Sequence, residues 1–276
     1  MLTVNFFDIG SLDCSEAIAL FDSPLTLPET LADEVRVMAR RARYGRGSTY
    51  HPGWTSRFHW RLSRRPRFIP ASLLGGTIAV NVFLIDPQLE LTRVRRLQAL
   101  TEGLPNLAIF PLRAAVDAEN GFSFRRLYLT RSGDPLGSSL FPGKHNVDPR
   151  SFHQVPCIGI TDIFRSIEAA CSLRNGACNI LRINAEGAEY GIMKALSAAG
   201  YLGAIGLFMG AGHDLRKIDA ALYEEYLRFL AQHEITFIEF KASDRAKTLR
   251  AACSVEQHVR QAIDRMGDTG QGMATA

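Results

Sequence analysis

The chain has 276 residues, enough for one large α/β domain or two small ones, and its 46% hydrophobic content excludes a disordered or fibrous protein. Its net charge of +4 has one source: Arg36 to Arg67 holds ten arginines and no acidic residue, and the remainder is acidic on balance. No apolar run approaches the roughly eighteen residues that span a bilayer, and Met1 to Phe7 reads as a strand rather than a leader, so a cytoplasmic protein with no membrane contact is expected.

Val4-Asn5-Phe6-Phe7-Asp8-Ile9-Gly10 is an apolar run ending in Asp-x-Gly, which suits a buried parallel strand opening into a loop. Ser15 predicts the cap of a short helix through Leu20. Leu31, Val35, Met38 and Ala42 recur at helical spacing and predict a second helix over Pro28 to Arg43. Arg43 to Pro70 mixes Arg, Gly, Ser and aromatics without a period and reads as a loop-like excursion. A strand over Ile78 to Ile85, ending in Asp86-Pro87, then leads to a helix over Glu90 to Glu102. Leu107 to Val116 and Phe122 to Thr130 are strands about the Asn120-Gly121 turn signal, and Pro156 to Ile160 is a short one.

Thr161 predicts the cap of a helix to Ser172, Asn179 to Ile183 a buried strand, and Glu189 to Gly200 a helix closed by its glycine. A strand over Ile205 to Met209, a helix over Ile218 to His233 and a strand over Ile235 to Phe240 complete the alternation. Residues 267–276, rich in Gly, Thr and Ala, read as a disordered tail. Strands alternating with helices predict an α/β fold, a mostly parallel sheet covered on both faces. The expected organisation is one domain over 1–266 with an insertion over roughly 24–76, since Asp8 and Asp86 lie 78 positions apart and a plain strand-helix-strand unit needs roughly thirty.

In such sheets a ligand lies beyond the strand C-termini, where Asp8-Ile9-Gly10, Asp86-Pro87 and Asn184-Ala185-Glu186-Gly187 all fall. A dinucleotide or a nucleoside triphosphate needs GxGxxG or GxxxxGK[ST], and neither occurs. S-adenosylmethionine (SAM) carries a ribose and an amino-acid end but no phosphate, so carboxylates matter more than glycines. Asp8 suits a role organising the first loop, and Asp86 a role accepting both ribose hydroxyls; a helix cap or turn is the structural alternative for either.

Six segments in order resemble the FkbM-type methyltransferases. They are Asp8-Ile9-Gly10-Ser11, Phe83-Leu84-Ile85-Asp86-Pro87, Ala115-Val116-Asp117 leading to Gly121, Gly137-Ser138-Ser139-Leu140, Val155 to Asp162, and Leu181-Arg182-Ile183-Asn184-Ala185-Glu186-Gly187-Ala188-Glu189. The resemblance implies a Rossmann-like, seven-stranded class I SAM methyltransferase, acting on a hydroxyl of a sugar or natural product. It places Asp8, Gly10 and Ser11 at the methionine part of the cofactor, Asp86 with Pro87 at the ribose, and Val116 with Asp117 near the adenine. Asn184, Glu186 and Glu189 would face the acceptor. Glu186 is the leading general base, with a helix cap as its alternative and His213 behind it.

The chain departs from the family pattern at Asn184 (Asp in the family), Arg182 (Lys), Cys14 (a later glycine) and Gly210-Ala211-Gly212-His213, where Glu and His often follow. These changes support a second reading, a catalytically weakened module that binds a partner through the arginine segment. That segment suits a phosphorylated acceptor, a nucleic acid as in an RNA methyltransferase, or a homo-oligomer contact. Gly137-Ser138-Ser139 reads as an acceptor-pocket wall or a Ser-rich turn, and Lys144-His145 as an exposed loop pair. Five scattered cysteines without a CxxC pair read as buried free thiols, and the histidines show no ligand spacing, so no metal is expected.

Overall fold

The structure, a computed structural model, describes residues 2–21, 78–104, 106–133, 135–210, 215–240 and 244–271. The arginine-rich stretch, the helix expected over Pro28 to Arg43, the whole of the expected insertion and His213 lie outside the described residues.

The first strand, β1 (Leu2–Ile9), is buried on both faces, as its unbroken apolar run requires. In α1 (Ser15–Phe21) the Ser15 N–H donates to the Asp13 side chain at 3.0 Å, so Asp13 caps the helix and Ser15 opens it. There follow β2 (Ile78–Ile85), α2 (Leu91–Thr101), β3 (Leu107–Leu112), β4 (Ala115–Asp117), β5 (Phe122–Thr130), β6 (Val147–Gly159) and α3 (Ile160–Ala170). The alternation resumes with β7 (Ala177–Ile183), α4 (Glu189–Ala198), β8 (Ile205–Gly210), α5 (Ala220–Gln232), β9 (Phe237–Ile238) and α6 (Arg245–Gln271).

The larger sheet runs β3-β2-β1-β7-β8-β9, with every neighbouring pair parallel. With β4 to β6 set aside, this is the 3-2-1-4-5-6 order of a doubly wound, Rossmann-like sheet. Six strands, not the expected seven, form it among the described residues. After β9 the chain enters α6, to which the sequence reading assigns no element. Ala251, Ala252, Val255, Val259 and Ala262 recur at helical spacing there and bury one stripe of α6 against β1, β7 and β8. The helix continues through Gln271, into the stretch expected to be a disordered tail.

Alternate residues of the central strands feed two cores, one on each face of the sheet. Phe6, Leu84 and Ile180 pack with α1, α2 and α6; Phe7, Ile85 and Leu181 pack with α3, α4 and α5. A row of amides, buried at Asn5 and Asn179 and half-buried at Asn81, pins the register. Asn81 Nδ2 donates to Asn5 Oδ1 at 2.9 Å, and Asn5 Nδ2 to Asn179 Oδ1 at 2.8 Å. A slip of one residue would leave these amides unpaired in the core.

The smaller sheet, β4-β6-β5, divides the strand expected over Leu107 to Val116. β3 stays beside β2 until β2 ends at Ile85, opposite Leu112; Ala115 and Val116 then pair with Cys157 and Ile158. The short strand expected from Pro156 is a 13-residue one, antiparallel to β5. Because α3 begins at Ile160, Thr161 lies inside it, and its hydroxyl bonds Asn120 instead of capping.

Candidate functional site

The strand order reverses between β1 and β7, and a cleft opens beyond the C-terminal ends of the strands there. Gly10, Asp86, Pro87, Val116, Asn184 and Glu186 line it, and it holds about 620 Å³ of space continuous with solvent. Six of the ten site residues expected from sequence thus meet; Asp8, Ser11, Asp117 and Glu189 do not line it.

Gly10 ends β1 at φ +80, and a Cβ there would stand 2.0 Å from the Asn184 carbonyl oxygen. Only glycine lets the two loops touch in this way. Beneath it Asp8 is 0% exposed. One of its oxygens accepts from Arg182 at 2.7 Å and the other from the Ser11 hydroxyl at 2.9 Å. Arg182 also donates to the Gly10 carbonyl at 2.8 Å and pairs with Glu16 at 3.3 Å. Burial pushes the Asp8 carboxyl up from its ordinary value, against the pull of the Arg182 guanidinium. Asp8 and Ser11 therefore hold the first loop from below instead of lining a ligand. The reason is register: Arg182 stands directly beside Asp8 on β7 and takes its carboxylate.

The loop runs on through Leu12 (φ 31) and Cys14 (φ 54), both left-handed. The backbone at Cys14 thus adopts a conformation that ordinarily favours glycine. Burial pushes its thiol up to about 12, which leaves it inert as a nucleophile.

Asp86 follows β2, and its Oδ1 accepts the Gln88 N–H at 2.6 Å. Burial pushes this carboxyl up as well, opposed by the backbone N–H groups of Gln88 and Leu12. Pro87 and Val116 add apolar wall beside it. Asp117 turns away toward the smaller sheet, where it meets Arg125 at 3.1 Å and accepts the Ala118 N–H at 2.6 Å.

The last wall follows β7. The Asn184 N–H donates to the Ile9 carbonyl at 2.9 Å, Glu186 adopts φ 52, and Gly187 packs beneath Phe141 and Ile218. Glu189, expected to face an acceptor, is fully buried, and its carboxylate turns back to accept the Gly187 N–H at 2.8 Å. It closes the loop at the start of α4, where a negative charge also suits the helix dipole.

Glu186 does line the cleft, and its carboxylate forms an ion pair with Lys144, which is only 3% exposed and does not itself line the cleft. Lys144 also donates to the Gly137 carbonyl at 3.0 Å, and the Ser139 hydroxyl donates to the Glu186 carbonyl at 2.7 Å. The loop between β5 and β6 is thereby clasped to the loop after β7. Lys144 is a correction to the exposed pair expected from sequence, although His145 is exposed. Its partner lies 42 residues away, and the Pro142-Gly143 loop carries no period that signals burial.

No protein-family model, curated protein or solved structure matches the chain. Among the described residues no helix is long and apolar enough to cross a membrane, and no three His, Cys, Asp or Glu side chains gather as a metal site would. The five cysteines are free; Cys14, Cys157 and Cys178 are buried as expected, but Cys171 is half-buried and Cys253 is exposed.

Proposed function

We propose that the chain is a SAM-dependent methyltransferase acting on a hydroxyl of a small acceptor, a sugar or natural product. Asp86 carries the reading. It is a carboxylate at the C-terminal end of the strand beside β1, and it lines the cleft where the strand order reverses. A carboxylate at that place suits the paired hydroxyls of a ribose. Burial disfavours its charge even with the Gln88 and Leu12 N–H groups beside it, and two hydroxyls would add further donors.

The first loop favours a nucleoside without phosphate. Beyond Gly10 it offers Leu12 and Cys14 where a pyrophosphate needs glycine backbone. Pro87 and Val116 give an apolar surface for a purine. When bound, the cofactor supplies an electrophilic methyl group on a sulfonium. The chain's part is then alignment: Gly10 and Asn184 set the seam over which an acceptor oxygen would be held in line with that methyl. Glu186 is committed to an ammonium, so the rate enhancement rests on positioning more than on a strong base.

Calorimetric titration with SAM and with S-adenosylhomocysteine, with Asp86→Ala alongside, tests the reading. Saturable binding that is lost in the variant is the expected result. Absence of heat from both ligands, in protein shown to be folded, would sink it in favour of a partner-binding module.

A further inference from the structure

The edge strands of the two sheets are protected unequally. In the larger sheet β3 carries Pro111 and β9 is two residues long, and either feature discourages a further strand. In the smaller sheet β4 is three residues long, but β5 has no proline and is long enough to pair again. Its backbone direction follows from its contacts. The Tyr128 N–H donates to the Ser139 carbonyl at 2.8 Å and the Ser139 N–H to the Tyr128 carbonyl at 3.0 Å, so the backbone groups of Tyr128 face away from β6. At the other end the Gly159 N–H donates to the Gly121 carbonyl at 3.1 Å, so that carbonyl faces β6. Backbone groups alternate along a strand, and those of Phe122, Phe124 and Arg126 therefore point outward like those of Tyr128. Among the described residues no strand takes them.

The side chains at this edge are exposed too. Phe122 and Phe124 are each 64% exposed and meet edge to face at 5.3 Å. Arg126 follows on the same face and lies over the Phe152 ring at 4.6 Å. The other arginine, Arg125, is held on the opposite face by Asp117 and Glu119, so it does not guard the edge. Solvated aromatic rings grouped beside an open strand edge mark a place where another strand adds.

We propose that β5 pairs antiparallel with β5 of a second copy of the chain, about a two-fold axis at Phe124. The edge is complementary to itself. Pairing centred on Phe124 sets it against its own mate, and sets Phe122 against Arg126 of the second copy. Each of these positions presents one N–H and one C=O, so every donor meets an acceptor. The facing side chains match as well: two rings meet at the axis, and on either side an arginine cation lies beside a phenylalanine ring. Of the registers open to the two strands, this one engages all three outward positions. Moving the centre toward Arg126 runs the second copy into Ser139, and moving it toward Phe122 leaves Arg126 opposite the Asn120 turn. The two copies of β4-β6-β5 become one continuous sheet. The surface covered is about 400 Å² per protomer, about half that of a standard interface, so the dimer is reversible. The pairing does not depend on what the cleft binds.

Sedimentation velocity on the full chain tests the proposal. Wild type should pass from monomer to dimer as its concentration rises. Phe124→Lys sets two ammonium groups against each other at the axis and should weaken the dimer at least about tenfold. Its urea midpoint should match that of the wild type, because Phe124 is exposed. Phe124→Cys reads the register, in a Cys253→Ser background that removes the exposed native thiol. Facing Cα atoms would stand about 5.5 Å apart, within disulfide reach, so oxidation should link two chains. Phe122→Cys in the same background places the two thiols on opposite sides of the axis and should stay unlinked. Wild type that remains monomeric at every concentration would overturn the proposal and leave the edge to a strand of another chemistry. A dimer that Phe124→Lys leaves intact would overturn it as well, and so would linkage through Phe122→Cys in preference to Phe124→Cys.

Discussion

Two ion pairs bracket the facing ends of β1 and β7, and they differ in what closes them. Below the loops, Arg182 is wrapped by Asp8, Glu16 and the Gly10 carbonyl, and none of these side chains touches the cleft. Beside the cleft, Lys144 and Glu186 make a less enclosed pair: the Lys144 side chain is buried, but the Glu186 side chain is 21% exposed and lines the cleft. The same chemistry serves structure where it is enclosed and suits a ligand where it is not. The lower network fixes where Gly10 can stand; the upper pair borders the space that Gly10 leaves open.

Breaking the lower network should have the larger effect. Arg182→Met leaves Asp8 and Glu16 buried without a cation and should cost about 3–5 kcal/mol, read as a fall in the urea midpoint. A neutral double variant, Lys144→Met/Glu186→Gln, which leaves neither charge buried alone, should shift that midpoint far less. Equal losses from both would erase the distinction.

A smaller effect sharpens it. The Asp86 carboxyl is raised above its ordinary value, so the folded state binds the proton more tightly than the unfolded chain. Stability from this group is complete below the unfolded value of 3.8 and is lost as pH rises through the folded value. Asp86→Asn should therefore be more stable than the wild type by about 1 kcal/mol at neutral pH, with the advantage shrinking in acid. Binding of S-adenosylhomocysteine to the wild type should move the other way and strengthen as the carboxylate ionises. A destabilised Asp86→Asn protein at neutral pH would make Asp86 a structural turn residue.

Much of this was readable where the signal is local. Ile78 to Ile85 and Phe122 to Thr130 are strands to the residue, because apolar or alternating runs end at Asp86-Pro87 and begin after Asn120-Gly121. Asp86 and Gly10 stand out for the same reason, as polar or flexible stops on buried runs. What escaped depends on partners distant in sequence. Arg182 finds Asp8 across 174 positions, which turns an expected cofactor contact into a buried strut. Glu189 sits at the expected helix start, but nothing in the sequence says which way its carboxylate turns. Helix α6 escaped because its buried stripe is built largely of alanine and valine among charged residues, a weak apolar signal.

The most direct test of the proposed SAM site is a crystal structure of the complex with S-adenosylhomocysteine. The ribose hydroxyls should meet Asp86, the purine should lie against Val116, and the thioether should sit over the seam between Gly10 and Asn184. A ligand bound elsewhere, or bound in this cleft with Asp86 unengaged, would contradict it.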